Sequence, residues 1–356
     1  MNRGRYMAVP PGAVIPGALP EFRIYVLTPD GTYTLWALEG NKVTSEQLAR
    51  LAEGGYTEVY VDLDEQFKYE QYLESNLGSI LENQAASDDQ KAEIFSKVSA
   101  NVVKGAFETS LGLGAMGTAA LKRTQQLIEN ALIFIEEAKS LQALAKMIGH
   151  DYQTYEHATK VLWFTVAFLR LNPEVLDQIE PELQTFEENR KMEMLRQCAV
   201  GALLHDIGKA FVSQAILAKA EPLTEVEWEI MKRHPLNGLA MLTDTDIPAF
   251  VKKAVLHHHE DFHGGGYPMG LEGPNITALA RVLRIIDVFD AMTSRRPYKD
   301  PMPPKKAMEI MIGTPADREG NEDPAQDERD KGMQRCFDRE LLKKFIVFLG
   351  DVKLDA

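Results

Sequence analysis

All eight histidines of this 356-residue chain fall between His150 and His263. Several stand beside carboxylates, and imidazole with carboxylate is a donor set for borderline divalent cations. Histidines that merely cap helices or fill a core have no reason to gather in one window. The densest element is Leu203-Leu204-His205-Asp206-Ile207-Gly208-Lys209, an apolar helical run that carries an adjacent imidazole and carboxylate into a face that should be buried. Burying that pair requires compensation. Taken alone, a His-Asp dipeptide also suits a hydrogen-bonded structural pair. Further on come His234-Pro235, where proline disfavours helix at the preceding residue, and His257-His258-His259-Glu260. The loop Gly264-Gly265-Gly266-Tyr267-Pro268 follows, and Asp287 and Asp290 then lie one turn apart in an apolar helical run. Such a set suggests a bound metal, and two aspartates in an apolar helix want cationic partners. No thiolate belongs to this cluster, which leaves iron, manganese and zinc as candidates.

His205-Asp206, the distant His234, the His258-His259-Glu260 triplet and the Gly264 to Pro268 loop resemble HD-GYP domains, over roughly His150 to Gly350. The resemblance implies a phosphodiesterase acting on cyclic di-GMP, with metal ligands at His157, His205, Asp206, His234, His258, His259 and Asp287. Asp206 is the implied bridging carboxylate and, with Lys209, a catalytic residue. Two divalent ions are expected, iron ahead of manganese. A third is disfavoured because Gln153 stands where trinuclear members of the family carry a Glu. His150 and His257 are left outside the ligand set. His263 occupies the position of the family's aspartate before the loop, a change that bears on loop conformation or on hydrogen bonding behind the ligands.

Lys209 lies one helical turn after His205 and can face the same pocket, pairing with a phosphate oxygen or assisting a departing ribose oxygen. A solvated lysine is the plain alternative. The three loop glycines permit positive φ and close backbone approach to a ligand, with Gly266 and Tyr267 expected against substrate. A tight turn is the plain alternative there. The segment Thr293 to Lys299 resembles the family's Arg-Pro-Tyr stretch and implies phosphate or guanine contacts from Arg296 and Lys299. The expected reaction is cleavage of cyclic di-GMP to linear pGpG, with onward cleavage to GMP left open. The competing reading is a catalytically weak cyclic dinucleotide sensor that signals through its N-terminal domain. An HD-superfamily enzyme acting on mononucleotides fits the loop and the Arg296 to Lys299 segment poorly, whereas a mixed guanine-adenine cyclic dinucleotide fits as well.

The elements that must position these groups read as mainly α: an all-helical HD-GYP domain preceded by a small α/β (ββαβ-like) N-terminal domain. Residues 1–20 hold four prolines and little periodicity, and are expected to form a flexible arm. Residues 21–75 are the small domain: strands at Phe22 to Leu27 and Thr32 to Leu38 flank a Pro29-Asp30-Gly31 turn, Thr44 and Gln47 form a capping box, Gly54-Gly55 ends the helix, and a strand follows at Glu58 to Asp62. Residues 76–140 are expected to be a helical connector, with an interruption in the small-residue stretch Gly105 to Gly117. Residues 141–356 form the catalytic domain, with a charged insertion near 313–338 before a last helix, Arg339 to Leu349.

Composition narrows the partners. A hydrophobic fraction of 45% is enough to bury a core. The 53 acidic residues against 39 basic ones repel a long nucleic acid, but not a small anion held by metal in one pocket. Cys198 and Cys336 are the whole cysteine complement, far apart and unlike a disulfide framework. With no apolar run of about 18 residues and no signal-like start, the expected setting is the cytoplasm, without membrane insertion. Cyclic di-GMP is the expected partner, and a homodimer is compatible with the sequence.

Overall fold

The computed structural model describes residues 5–135, 154–179, 188–295, 300–313 and 332–352. The chain divides into two compact units, Met1–Val98 and Ser99–Ala356.

The first unit is built on a four-stranded antiparallel sheet. β1 is Tyr6–Val9, β2 Ile24–Leu27 and β3 Tyr33–Ala37. α1 is Ser45–Glu53, β4 Val59–Asp62, and the strand order is β1-β4-β2-β3. The β2–β3 hairpin turns where expected, at Gly31 with φ 84°, a left-handed value that glycine adopts without steric cost. Thr44 and Gln47 make both halves of the capping box at the start of α1. The expectation of an arm over residues 1–20 is corrected here. Tyr6–Val9 pairs with Val59–Asp62, Ala13 and Val14 are buried, and Tyr6 stacks on Tyr33 at 4.3 Å. Four residues are too few to show a period among prolines, so the strand is visible only once β4 offers it an edge.

Beyond the sheet come α2 (Gln66–Ser75) and α3 (Leu77–Glu82). Phe22 meets Tyr69 and Tyr72 edge to face, with Ile24, Val61 and Ile80 fully buried around them. The packing boundary lies at Val98, not at residue 75, because the segment after α2 belongs to this core. Leu77, Ile80 and Leu81 are buried, and Asn83 donates to the Gly12 carbonyl at 3.0 Å.

The described part of the second unit is helical. α4 (Asp88–Leu113) runs into it, and the expected interruption is confined to the residues around Gly114, φ 67°, before α5 (Thr118–Ile135). There follow α6 (Thr154–Leu171), α7 (Pro173–Ile179), α8 (Glu188–Leu204), α9 (Gln214–Leu217), α10 (Glu225–Met231) and α11 (His234–Leu242). The last four are α12 (Ala249–His257), α13 (Ala278–Thr293), α14 (Pro304–Ile312) and α15 (Arg339–Asp351). Apolar residues at helical spacing drive this packing. Phe164 and Phe168 of α6, Phe289 of α13 and Phe345 and Phe348 of α15 form one aromatic core. That core locks together the helices which carry His157 and Asp287. Most of the charged insertion, residues 314–331, lies outside the described residues. Among the described residues no helix is long and apolar enough to cross a membrane.

If the first residues are part of the sheet, deleting residues 1–14 exposes the β4 edge and removes buried Val9 and Val14. At roughly 1.5–3 kcal/mol per buried valine, the loss is about 3 kcal/mol or more. Chemical denaturation of the full and shortened chains should show it, and equal stability would contradict the strand.

Candidate metal centre

Five segments meet at one point. α8 ends at Leu204, and His205 and Asp206 follow as the chain tightens into a 3₁₀ turn at Ile207–Phe211. Gly208 in that turn crosses the start of α11 so closely that a Cβ would lie 1.9 Å from the His234 carbonyl oxygen. Only glycine allows this approach. His234 is the first residue of α11, with Pro235 in its first turn, as the sequence suggested for an imidazole at a helix boundary. α12 ends at His257 and delivers His258 and His259, while α6 supplies His157 and α13 supplies Asp287. His157, His205, Asp206, His234, His258 and Asp287 are all buried, and His259 is partly so.

The seven residues named from the resemblance lie together in two groups. One comprises Asp206, His234, His258 and His259, the other His157, His205 and Asp287, and within each the ligand atoms fall within 4.8 Å of one another. The imidazoles are aimed by their outer nitrogens. Nδ1 of His205, His234 and His258 sits 2.7, 2.8 and 2.7 Å from the carbonyls of Ala202, Met231 and Val255. A carbonyl only accepts, so each Nδ1 carries the proton and each Nε2 presents a lone pair inward. His157 Nδ1 lies 2.7 Å from Asp290 Oδ2, with the same effect. The inward nitrogens face each other: His157 Nε2 is 3.2 Å from His205 Nε2, and His234 Nε2 is 3.1 Å from His258 Nε2.

Asp206 divides its oxygens between the groups. Oδ1 is 3.2 Å from His234 Nε2 and 3.7 Å from His258 Nε2. Oδ2 is 3.4 Å from His205 Nε2 and 3.7 Å from His157 Nε2, and accepts from Lys209 Nζ at 2.5 Å. Asp287 spans the groups as well, with Oδ1 3.2 Å from His157 Nε2 and Oδ2 3.9 Å from His259 Nδ1. Buried Asp206 Oδ1 has no hydrogen-bond donor. An orphaned carboxylate oxygen and lone pairs pointing at one another fit divalent cations, and the nitrogen and oxygen donors suit borderline or hard ones. The residues of the centre could thus hold divalent metal.

Its electrostatics agree. Burial pushes His258 down to about 4, with neighbouring His205 and His234 adding to the effect, and drives His259 well below its ordinary value. For Asp206, burial works to raise the pKa, but Lys209, His205 and His234 outweigh it and hold the carboxyl well below its usual range. Asp287 is held low against burial by His157 and His259. At neutral pH the pocket thus holds two anions and neutral His258 and His259, the protonation state a cation needs.

Behind the ligands lies a chain that the sequence reading did not foresee. Asp290 Oδ2 orients His157, Ser294 Oγ donates to Asp290 Oδ1 at 2.9 Å, and Lys160 Nζ donates to Ser294 at 2.9 Å. The i,i+4 spacing of Asp290 and Ser294 was visible, but not its aim. Glu260, also buried, accepts from the backbone N–H of Met269 at 2.7 Å and of Leu271 at 2.9 Å, and so ties the glycine loop shut. The glycine expectation needs correcting in part. Gly264 alone of the three takes a positive φ, 86°, and a Cβ on Gly266 would lie 2.5 Å from Glu260 Cα, so its close approach is to its own chain. Tyr267 stacks on His259 at 4.8 Å, with Trp228 of α10 edge-on at 6.2 Å. Lys209 is mostly buried beside Asp206. Arg296, Lys299, Gln153 and His150 lie outside the described residues.

Residues 183–319 match the HD domain family. A cyclic di-GMP phosphodiesterase of Pseudomonas aeruginosa is 37% identical over 166 residues, covering 46% of this chain and 36% of that protein. A 3'3'-cGAMP-specific phosphodiesterase of Vibrio cholerae is 40% identical over 110 residues, covering 31% of this chain and 24% of that one. The chain thus spans less than half the length of these relatives. Among solved structures, an HDG"Y"P protein from Bdellovibrio bacteriovorus shares the fold, with a TM-score of 0.57, 16% identity and coverage of 97% of this chain and 99% of that one. The chain thus carries an HD domain match over residues 183–319, within a fold that it shares with the Bdellovibrio protein.

Proposed function

We propose that this chain is a metal-dependent phosphodiesterase that opens cyclic di-GMP to linear pGpG. The observation that carries the reading is the division of the two Asp206 oxygens between two buried imidazole groups. Such a carboxylate suits a pair of cations, which His157, His205 and Asp287 would hold on one side and His234, His258 and His259 on the other, with one oxygen of Asp206 facing each group. When bound, two divalent ions, iron first and manganese second, supply an activated water and neutralise the charge that grows on the phosphorus centre. The chain does the rest. His205, His234 and His258 keep their inward nitrogens unprotonated through the carbonyls behind them. Lys209 Nζ, anchored on Asp206, presents an ammonium to a phosphate oxygen and donates toward the ribose oxygen that leaves. Tyr267, stacked on His259, walls the pocket and gives a purine a face to lie against.

A second reading concerns the base. The similarity to a 3'3'-cGAMP-specific enzyme favours a mixed guanine-adenine ring as an alternative substrate. Both are tested by reloading the metal-free full chain anaerobically with iron(II) or manganese(II), counting bound metal and following both dinucleotides. Linear pGpG with about two metals per chain supports the proposal. Faster cleavage of the mixed dinucleotide moves it to the second reading, and tight binding without product replaces catalysis with sensing. Asp206→Ala and His205→Ala are expected to abolish both metal loading and turnover, and unchanged activity in either would sink the assignment.

Two variants separate chemistry from metal retention. Lys209→Ala keeps its metal and loses about 10²–10³-fold in turnover, the scale of removing one electrostatic donor. Asp290→Ala frees His157 to rotate and weakens metal affinity by roughly 10–100-fold. Metal content beside kcat distinguishes them.

Acid should also destabilise the metal-free chain in a defined window. The unfolded chain protonates His258 near 6.5 and the folded chain only near about 4, so the unfolded state holds more protons between those values. Stability therefore falls as pH drops from 6.5 towards 4, and depressed His259 adds in the same direction. A Tm of the metal-free protein that stays flat across that interval would refute the burial of neutral imidazoles.

A further inference from the structure

A third cluster of metal-competent groups lies in the second unit, outside the seven residues of the centre. Asp261, His263 and Cys336 each bring a ligand atom within 4.8 Å of the others. Cys336 comes from the turn before α15, and Asp261 and His263 from the segment just after His259. Their meeting is built by the backbone. The Phe262 N–H donates to the Cys336 carbonyl at 2.9 Å, and the Gly273 N–H donates to the Phe262 carbonyl at 2.9 Å. His263 itself forms an isolated antiparallel bridge with Glu272. The chain turns here, with the Gly264 N–H donating to the Asp261 carbonyl at 2.8 Å, and this turn, fixed at Phe262 against Cys336, holds Asp261 and His263 near the thiol. His263 Nδ1 reaches the Arg335 carbonyl at 3.2 Å, which steadies the ring. Gly265 makes room for it: a Cβ there would lie 2.5 Å from His263 Nε2.

We propose that Asp261, His263 and Cys336 form a second, separate metal site for a thiophilic divalent cation of the zinc class. One thiolate, one imidazole and one carboxylate are three ligands of a four-coordinate zinc, with water left for the fourth place. The donor set differs in kind from that of the centre, which has no sulfur and suits harder ions. His263 is exposed while Asp261 and Cys336 are half-buried, so a cation can enter from solvent. Arg284 opposes binding, since its guanidinium pairs with Asp261. Both of its bonds go to Oδ1, at 3.0 and 2.7 Å, which leaves the other carboxylate oxygen for the cation. Arg284 Nη1 also stands 3.5 Å from His259 Nδ1, so the new site and the centre share one neighbour without sharing a ligand.

Cobalt(II) tests this on the full chain, because only a thiolate ligand produces sulfur-to-cobalt charge-transfer absorption, and the centre has none. Titrating metal-free protein with cobalt should develop that band with about one cation per chain beyond those the centre takes. Cys336→Ser should remove the band and one bound cation while the centre still loads. His263→Ala should weaken the thiolate-bound cobalt by at least about 100-fold, because even partners outside the coordination shell cost roughly 10–100-fold. A wild-type titration without the band, a band that persists in Cys336→Ser, or unchanged affinity in His263→Ala overturns the site, whatever the activity towards cyclic dinucleotides.

Discussion

Asp206 is an ionised carboxylate at the middle of a buried pocket, and the geometry around it follows from the cost of putting it there. Desolvation alone would protonate it. It stays charged because the Lys209 ammonium closes on one of its oxygens. Yet Oδ1 still has no donor, and the inward nitrogens have nowhere to place their lone pairs. A charge arrangement unsatisfied by protein atoms alone, inside a unit otherwise packed by apolar helices, fits a site that cations would complete.

The surroundings hold that arrangement against relaxation. Three imidazoles are clamped by carbonyls three residues back, at the ends of α8, α10 and α12. The fourth, His157, sits on the long buried helix α6 and is clamped by Asp290 of α13, with Ser294 and Lys160 completing the chain. The phenylalanine core between α6, α13 and α15 keeps those helices in register. Gly208 plays the matching part on the other side, where the closeness of the 3₁₀ turn to α11 decides how near His205 and His234 can come. A stiff frame of this kind holds the donor atoms in place without reorganisation.

The glycine loop shows one segment doing two jobs. On its inner side, Glu260 and Gly266 fold the chain back so that Tyr267 stacks on His259. On its outer side, the same segment is pinned to Cys336 and Glu272, and His263 faces the thiol. Arg284 stands between, bonded to Asp261 and close to His259. The exchange of an acidic residue for His263, noticed first as a departure from a family pattern, gains a physical setting there.

The sequence by itself determined the metal-competent donor set and most of the elements that bear it. Histidine clustering, apolar period and the Gly264 to Pro268 loop are all short-range signals, and each is encoded within a few turns of chain. The hairpin, the capping box of α1 and the position of His234 at a helix start were legible for the same reason. What only the tertiary structure decided are relations between distant segments. β1 is a strand because β4 presents an edge some fifty residues away. Asp290 reaches His157 across 133 residues, and Cys336 meets Asp261 and His263 across a gap about half as long. Even where both partners were named in advance, the sharing of the Asp206 oxygens between two groups was not written in any spacing. Periodicity tells a residue which way to face, but which atom it meets depends on how whole helices pack.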